Sequence, residues 1–208
     1  MLGTAGNLSI RISELKAQSS EFKFLITASG RDKGELTEDD FLVMDVIASE
    51  AKQSRSHNNG DDLDCFVANA PRNDIKPSAE TLLHAAIYKH TNANAVFHVH
   101  TTNSTLLSNL SLLSPNSYLL VFEGLEMLKG LGFKTHNVKI TIPVIDNSQD
   151  MKHLAKAAPS LINESIPGLL LKGHGLYAWG NSPSEAKRHI ETFEFLFDYR
   201  IKELSIKK

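Results

Sequence analysis

The chain has 208 residues, of which 41% are hydrophobic, a length and composition typical of one domain with a substantial apolar core. We therefore predict a single domain that spans residues 1–208. The chain carries 22 lysine and arginine residues against 24 aspartate and glutamate residues, a formal net charge of −2, which excludes the basic surface that nucleic acids and anionic membranes attract.

Cys65 is the single cysteine of the sequence, so no intrachain disulfide can form and a reducing compartment is favoured. No apolar run approaches the roughly 18 residues of a membrane-spanning helix, and the first residues lack a basic segment followed by an apolar one. We expect a soluble, cytoplasmic protein with no membrane or nucleic-acid partner. Any metal is expected to bind nitrogen and oxygen ligands, with zinc first among the candidate ions.

The N-terminal part of the chain predicts two strands that end near small, polar residues. Gly6 and Asn7 lead into residues 8–12, whose apolar side chains alternate as in a strand. A second predicted strand, residues 22–26, ends in Thr-Ala-Ser-Gly at residues 27–30, where hydroxyl and backbone N–H groups are able to bind an anion. An ordinary turn explains the same four residues.

The next segments predict a core strand at residues 41–46, a polar loop at residues 49–64 and then a helix. The helix begins near Ser78, and Glu80 falls in its first turn, where a carboxylate suits the helix dipole. That placement is a sufficient structural explanation of Glu80. The same helix start also offers N–H groups to a phosphate.

Residues 95–100, Ala-Val-Phe-His-Val-His, predict a strand that places two imidazoles on one face. His98 and His100 are two residues apart, which separates their Cα atoms by roughly 6.6 Å in an extended chain and lets both rings reach one metal ion. A pair of surface histidines is the alternative. Apolar neighbours on both sides of the pair favour the metal site.

Glu126 lies between Leu125 and Met127 in a short, apolar-leaning segment bounded by glycines. In such surroundings burial would raise the pKa of its carboxyl, as a group that transfers protons requires. A solvated helix position explains Glu126 equally well.

The C-terminal third of the chain supplies a further histidine and a long helix. Residues 138–144 alternate as a strand, and the apolar strand at residues 168–171 breaks at Gly-His-Gly before a second strand at residues 176–180. His174, flanked by glycines, is a candidate for a third metal ligand because the backbone there can come close to a ligand. Ser182 begins the final helix, which we expect to cover the sheet.

Three imidazoles, His98, His100 and His174, are thus accompanied by two carboxylates, Glu80 and Glu126. Three protein ligands and an open coordination position are the requirement of a catalytic metal. The carboxylates are candidates for a further ligand and for an acid/base.

Five motifs, in the same order along nearly the whole chain, resemble the class II aldolase/adducin family. They are Gly6-Asn7-Leu8-Ser9, Thr27-Ala28-Ser29-Gly30, Ser78-Ala79-Glu80, His98-Val99-His100 and Gly173-His174-Gly175. The resemblance implies a three-layer α/β/α fold with a central, mainly antiparallel sheet. It also implies zinc on the three histidines and a homotetramer with active sites at subunit interfaces.

The resemblance further implies that the substrate phosphate is bound by Asn7, Ser29, Gly30 and Ser78. Residues 122–130, 142–147 and 185–189 are most similar to family members that dehydrate a methylthio-substituted ketose 1-phosphate in methionine salvage. The implied function is therefore a zinc-dependent lyase acting on a small sugar phosphate, with Glu126 as the catalytic acid/base and Glu80 in support. The alternatives are a sugar-phosphate aldolase or epimerase of the same family, and an adducin-like binding module without the chemistry.

Overall fold

The structure, a computed structural model, describes residues 6–12, 22–48, 63–69, 76–111, 120–163 and 165–206. Within these residues the strands are β1 (Asn7–Arg11), β2 (Phe22–Thr27), β3 (Phe41–Ala48), β4 (Leu63–Asn69), β5 (Ala95–Val99), β6 (Val121–Glu123), β7 (Lys139–Thr141), β8 (Val144–Ile145), β9 (Gly168–Leu171) and β10 (Gly175–Gly180). The α-helices are α1 (Thr81–His90), α2 (Thr102–Ser111), α3 (Met151–Ala157) and α4 (Pro183–Ile206).

One large sheet organises the described part of the chain, with strand order β4-β3-β2-β1-β5-β10-β9-β8. All neighbours in it are antiparallel except β8 and β9, which run parallel. β6 and β7 form a separate antiparallel pair. The centre of the sheet is β5, which pairs with β1 on one side and with β10 on the other.

Helices cover both faces of the sheet because the central strands are apolar on both sides. β10 shows this alternation: Tyr177 and Trp179 join the core under α1 and α3, whereas Leu176 and Ala178 join the core under α2 and α4. The helix side chains of the first core are Leu83, Ile87, Tyr88 and Leu154. Those of the second core are Leu107, Phe193, Leu196 and Phe197. The predicted three-layer fold with a mainly antiparallel sheet is confirmed.

The C-terminal helix begins where the sequence predicts it. The Ser182 hydroxyl accepts a hydrogen bond from the backbone N–H of Glu185 at 3.2 Å, which satisfies a free donor of the first turn. The stripe that carries Phe193 and Phe197 is fully buried against the sheet. None of the helices in the described ranges has both the length and the apolar character that crossing a bilayer requires.

Two local predictions differ from the structure. The single strand predicted at residues 138–144 is divided between β7 and β8, which belong to different sheets. Pro143 lies between them and has no N–H for a strand ladder, although its carbonyl accepts from the N–H of Leu170 at 3.0 Å. Most of the predicted loop at residues 49–64 lies outside the described residues, but Leu63 and Asp64 belong to β4, a strand that the pattern did not indicate.

Candidate metal centre

Three imidazole rings converge at the end of the central strands. β5 and the residue that follows it present His98 and His100, and the turn between β9 and β10 presents His174. The Nε2 atom of His100 lies 2.7 Å from that of His98 and 2.8 Å from that of His174, and the remaining pair is 3.4 Å apart. The structure therefore brings together three of the predicted site residues that are far apart in sequence.

In two of the three rings, Nδ1 has a contact outside the cluster, which determines the nitrogen that faces the cluster. Nδ1–H of His98 donates to the carbonyl of Leu176 at 3.0 Å, and Nδ1 of His174 lies 3.4 Å from the amide oxygen of Asn147. With Nδ1 occupied by these contacts, Nε2 is the nitrogen that each ring offers to a metal ion. Burial and the neighbouring rings of His98 and His174 lower the pKa of His100 to about 4. Three ring nitrogens that converge in this way fit the ligand set of a shared divalent cation.

Glu80 completes the cluster from the residue that precedes α1. Its Oε1 atom is 3.1 Å from Nε2 of His174 and 3.3 Å from Nε2 of His98, and all four ligand atoms lie within 4.8 Å of one another. Burial alone would raise the pKa of Glu80, but the adjacent imidazoles of His174 and His98 and a hydrogen bond from the amide of Asn7 lower it well below its usual range. The carboxylate is therefore ionised and available as a fourth ligand or as a base.

Neighbouring residues hold His98 in place. The ring of Tyr177, the cross-strand partner of His98 on β10, stacks on the imidazole with centroids 4.0 Å apart and planes inclined by 17°. Gly173 adopts φ +61°, a left-handed conformation that glycine takes without strain and that turns the chain just before His174. No local sequence pattern marks Tyr177 as a site residue, although its place opposite a histidine follows once β5 and β10 pair.

Two of the four predicted phosphate-binding residues, Asn7 and Ser78, lie beside Glu80. The side-chain NH₂ of Asn7 donates to the hydroxyl of Ser78 at 3.0 Å and also to Glu80 Oε2. An isolated bridge between Ala28 and Pro77 brings the exposed residues 29–30 next to residue 78. The N–H of Ser29 is bonded to the carbonyl of Lys76 at 2.9 Å, so it is the hydroxyl of Ser29 that remains for a ligand.

Glu126 is not among the side chains that converge on the cluster. It opens a 3-10 helix at Glu126–Leu131, and its side chain is 69% exposed. A hydrogen bond from Lys129 lowers the pKa of its carboxyl, and Nδ1 of His136 lies 3.3 Å away. Within one subunit, the solvated alternative therefore describes Glu126, and the expectation of a buried carboxyl with a raised pKa is not met.

Buried polar residues lie behind Glu80, at positions that the sequence patterns did not single out. His84 lies one helical turn after Glu80, is fully buried and contacts both Asn7 and Ser9. The spacing of four residues between Glu80 and His84 places both on one helix face, and this was the available signal.

Comparison with known proteins gives the family and several relatives. The family model described as "Class II Aldolase and Adducin N-terminal domain" matches residues 1–201. The methylthioribulose-1-phosphate dehydratase of Geobacillus kaustophilus (strain HTA426) is 37% identical over 205 residues, covering 99% of this chain and 85% of the relative. The enzyme of the same name from Bacillus subtilis (strain 168) is 37% identical over 199 residues, covering 96% and 83%.

Solved structures agree on the fold. An L-fuculose 1-phosphate aldolase superposes with a TM-score of 0.67 at 21% identity, covering 100% of this chain and 80% of that chain. A sugar-phosphate aldolase from Thermotoga maritima superposes with a TM-score of 0.62 at 18% identity, covering 99% and 88%. At these identities the likeness shows the shared fold.

Proposed function

The chain belongs to the class II aldolase and adducin family, and from this premise we propose that it is a methylthioribulose-1-phosphate dehydratase, a hydro-lyase of methionine salvage. The observation that carries the proposal is the 36–37% identity to dehydratases of that name over 94–99% of this chain. The substrate is 5-methylthioribulose 1-phosphate and the product is the corresponding 2,3-diketone phosphate.

His98, His100 and His174 are the proposed metal ligands, and zinc is the proposed ion. The support is the convergence of their Nε2 atoms beside the ionised carboxylate of Glu80. A divalent ion bound there supplies Lewis acidity toward the ketone carbonyl of the substrate. The mixed nitrogen and oxygen donor set suits zinc.

Glu126 is the proposed acid/base, with Glu80 in support. One carboxylate takes the proton from C3 of the substrate and, now protonated, returns it to the C4 hydroxyl, which leaves as water. The resulting enol rearranges to the diketone, so atoms and protons balance. Because Glu126 is exposed and lies outside the histidine cluster of its own chain, we propose that it acts at the metal centre of a neighbouring subunit.

The remaining parts of the proposal concern the phosphate, the assembly and the compartment. Asn7, Ser29, Gly30 and Ser78 are the proposed phosphate-binding residues, supported by the hydrogen bond between Asn7 and Ser78 and by the bridge that brings residues 29–30 next to residue 78. A homotetramer is the proposed assembly, since an acid/base supplied by a neighbouring subunit requires an oligomer. A cytoplasmic location is proposed from the single cysteine.

The test is a turnover assay on purified protein with methylthioribulose 1-phosphate, before and after chelation, and after zinc is restored. We expect the diketone phosphate to form, chelation to abolish its formation and zinc to restore it. An aldehyde product would identify an aldolase instead. Absence of any product from metal-loaded protein would refute the dehydratase.

A further inference from the structure

A line of buried hydrogen bonds runs from the core to the carboxylate of Glu80. The hydroxyl of Tyr88 lies 2.8 Å from Ser9 Oγ, which lies 2.6 Å from Nδ1 of His84. Nε2 of His84 contacts the amide oxygen of Asn7, whose nitrogen contacts Oε2 of Glu80. Each of these five residues is at most 9% exposed, so water does not compete for the contacts.

The direction of the hydrogens along this line follows from the contacts of Asn7. Its NH₂ group contacts Oε2 of Glu80 and also donates to Ser78 Oγ. The amide oxygen of Asn7 then faces His84 and accepts, which places the hydrogen of the ring on Nε2. A neutral ring with Nε2–H accepts at Nδ1, so the hydroxyl of Ser9 donates to it.

The competing arrangement is less favourable on two counts. Ser9 Oγ is also 3.5 Å from the carbonyl of Val96, a longer contact than the 2.6 Å to His84. If Ser9 donated to Val96, Nδ1 of His84 would have to carry a hydrogen as well, and the ring would be a cation. Burial lowers the pKa of His84 to about 3, so the buried ring is neutral at neutral pH.

We propose that His84 is a positioning residue of the active site: its Nε2–H group donates to the Asn7 amide oxygen, and this keeps the NH₂ group of Asn7 on Glu80, beside the three histidines. In this line of hydrogen bonds His84 does not contact His98, His100 or His174. It acts on Glu80 through Asn7. The kinetic part of its test rests on the proposed dehydratase activity, whereas the tautomer part does not.

Two variants at the far end of the line leave the contact between His84 and Asn7 in place. Ser9→Ala removes the donor to Nδ1, and Tyr88→Phe removes the hydroxyl that contacts Ser9. Neither change touches Nε2 or the Asn7 amide. The proposal therefore requires the Nε2–H tautomer in the wild type and in both variants.

The direct test is nitrogen NMR on the full chain labelled with ¹⁵N-histidine, in which long-range correlations distinguish protonated from unprotonated ring nitrogens. The His84 signals are assigned by their loss in His84→Gln. We expect Nε2–H in the wild type, in Ser9→Ala and in Tyr88→Phe. A ring with its hydrogen on Nδ1 and an unprotonated Nε2 in any of the three proteins overturns the proposal, and this result does not depend on catalysis.

The kinetic test compares two variants at residue 84. His84→Gln keeps an N–H donor for Asn7, whereas His84→Leu removes it. We expect kcat/KM to fall about tenfold further in the leucine variant than in the glutamine variant, the loss that one hydrogen bond accounts for. Equal kcat/KM values in two variants of equal melting temperature overturn the positioning role. If the wild type itself turns over no substrate, the proposed function fails while the tautomer result stands.

Discussion

Gly175 lies against His98 so closely that no side chain fits between them. A Cβ atom added to Gly175 would lie 3.0 Å from Cε1 of His98 and 2.4 Å from the carbonyl oxygen of Val99. The second distance is far shorter than any normal contact with backbone. The absence of a side chain at residue 175 is therefore what allows β10 to pair with β5 next to the histidine cluster.

Gly175→Ala is expected to destabilise the fold by about 1–3 kcal/mol, the usual cost of overpacking a core, and to lower metal content. Gly34→Ala is the matched control, because its Cβ would meet only Asp32 Oδ1 at an ordinary 3.4 Å. Urea unfolding and metal analysis of both variants check this. A Gly175→Ala protein as stable and as metal-rich as the control would contradict it.

His100→Ala is expected to reduce zinc affinity by at least about 100-fold. Loss of a direct metal ligand lowers affinity more than loss of a group that only orients a ligand. The control is His153→Ala, which changes an exposed histidine on α3. Competition with a fluorescent zinc chelator measures both affinities. Equal affinities would remove His100 from the ligand set.

Glu126→Gln is expected to abolish dehydration while zinc remains bound, because the carboxylate is the proposed proton carrier and lies outside the metal cluster. Glu123→Gln is the control, a nearby carboxylate that is 64% exposed and pairs with Lys139. Full turnover by Glu126→Gln would exclude Glu126 from the mechanism.

Co-expression of Glu126→Gln with His98→Ala tests whether Glu126 acts in a neighbouring subunit. Each variant alone is expected to be inactive. Random mixing would restore about one quarter of wild-type activity, because a site is intact when one subunit supplies its histidines and the next supplies Glu126. No recovery in a mixed oligomer would place both groups in the same subunit.

Ser29→Ala is expected to raise KM several-fold and to weaken inhibition by inorganic phosphate, with a smaller effect on kcat, because its exposed hydroxyl is a proposed phosphate contact. Ser160→Ala, at an exposed serine whose hydroxyl donates to the carbonyl of Ala157, is the control. Unchanged phosphate inhibition in Ser29→Ala would count against the contact.

The metal-free protein is expected to lose stability as the pH falls below about 6.5. The folded chain holds the pKa of His84 at about 3 and that of His100 at about 4, both below the ordinary value of 6.5. The unfolded chain therefore binds more protons in this window, and stability rises with pH across it. Urea unfolding at about pH 7 and about pH 5 measures the difference, which should be smaller in His84→Gln. The same pH dependence in both proteins would contradict the neutral buried ring.

Local sequence was sufficient to predict the features that a single contiguous pattern of residues determines. The alternation around His98 and His100 predicted a strand with both rings on one face, and the residues at the start of α4 predicted its first turn. These features depend on the period of a strand and on the free N–H groups of a helix end, which a few neighbouring residues determine.

Tertiary structure decided which distant residues meet. The register that pairs β5 with β1 and β10 places Asn7 and Tyr177 opposite His98, and no local pattern encodes that register. The exposure of Glu126 likewise cannot be predicted from the apolar residues next to it in the sequence, because burial depends on which other elements pack against the segment. The sequence alone thus determined the candidate ligand types and the strands and turns that carry them. Strand pairing and helix packing determined their convergence and the buried hydrogen bonds from Tyr88 to Glu80.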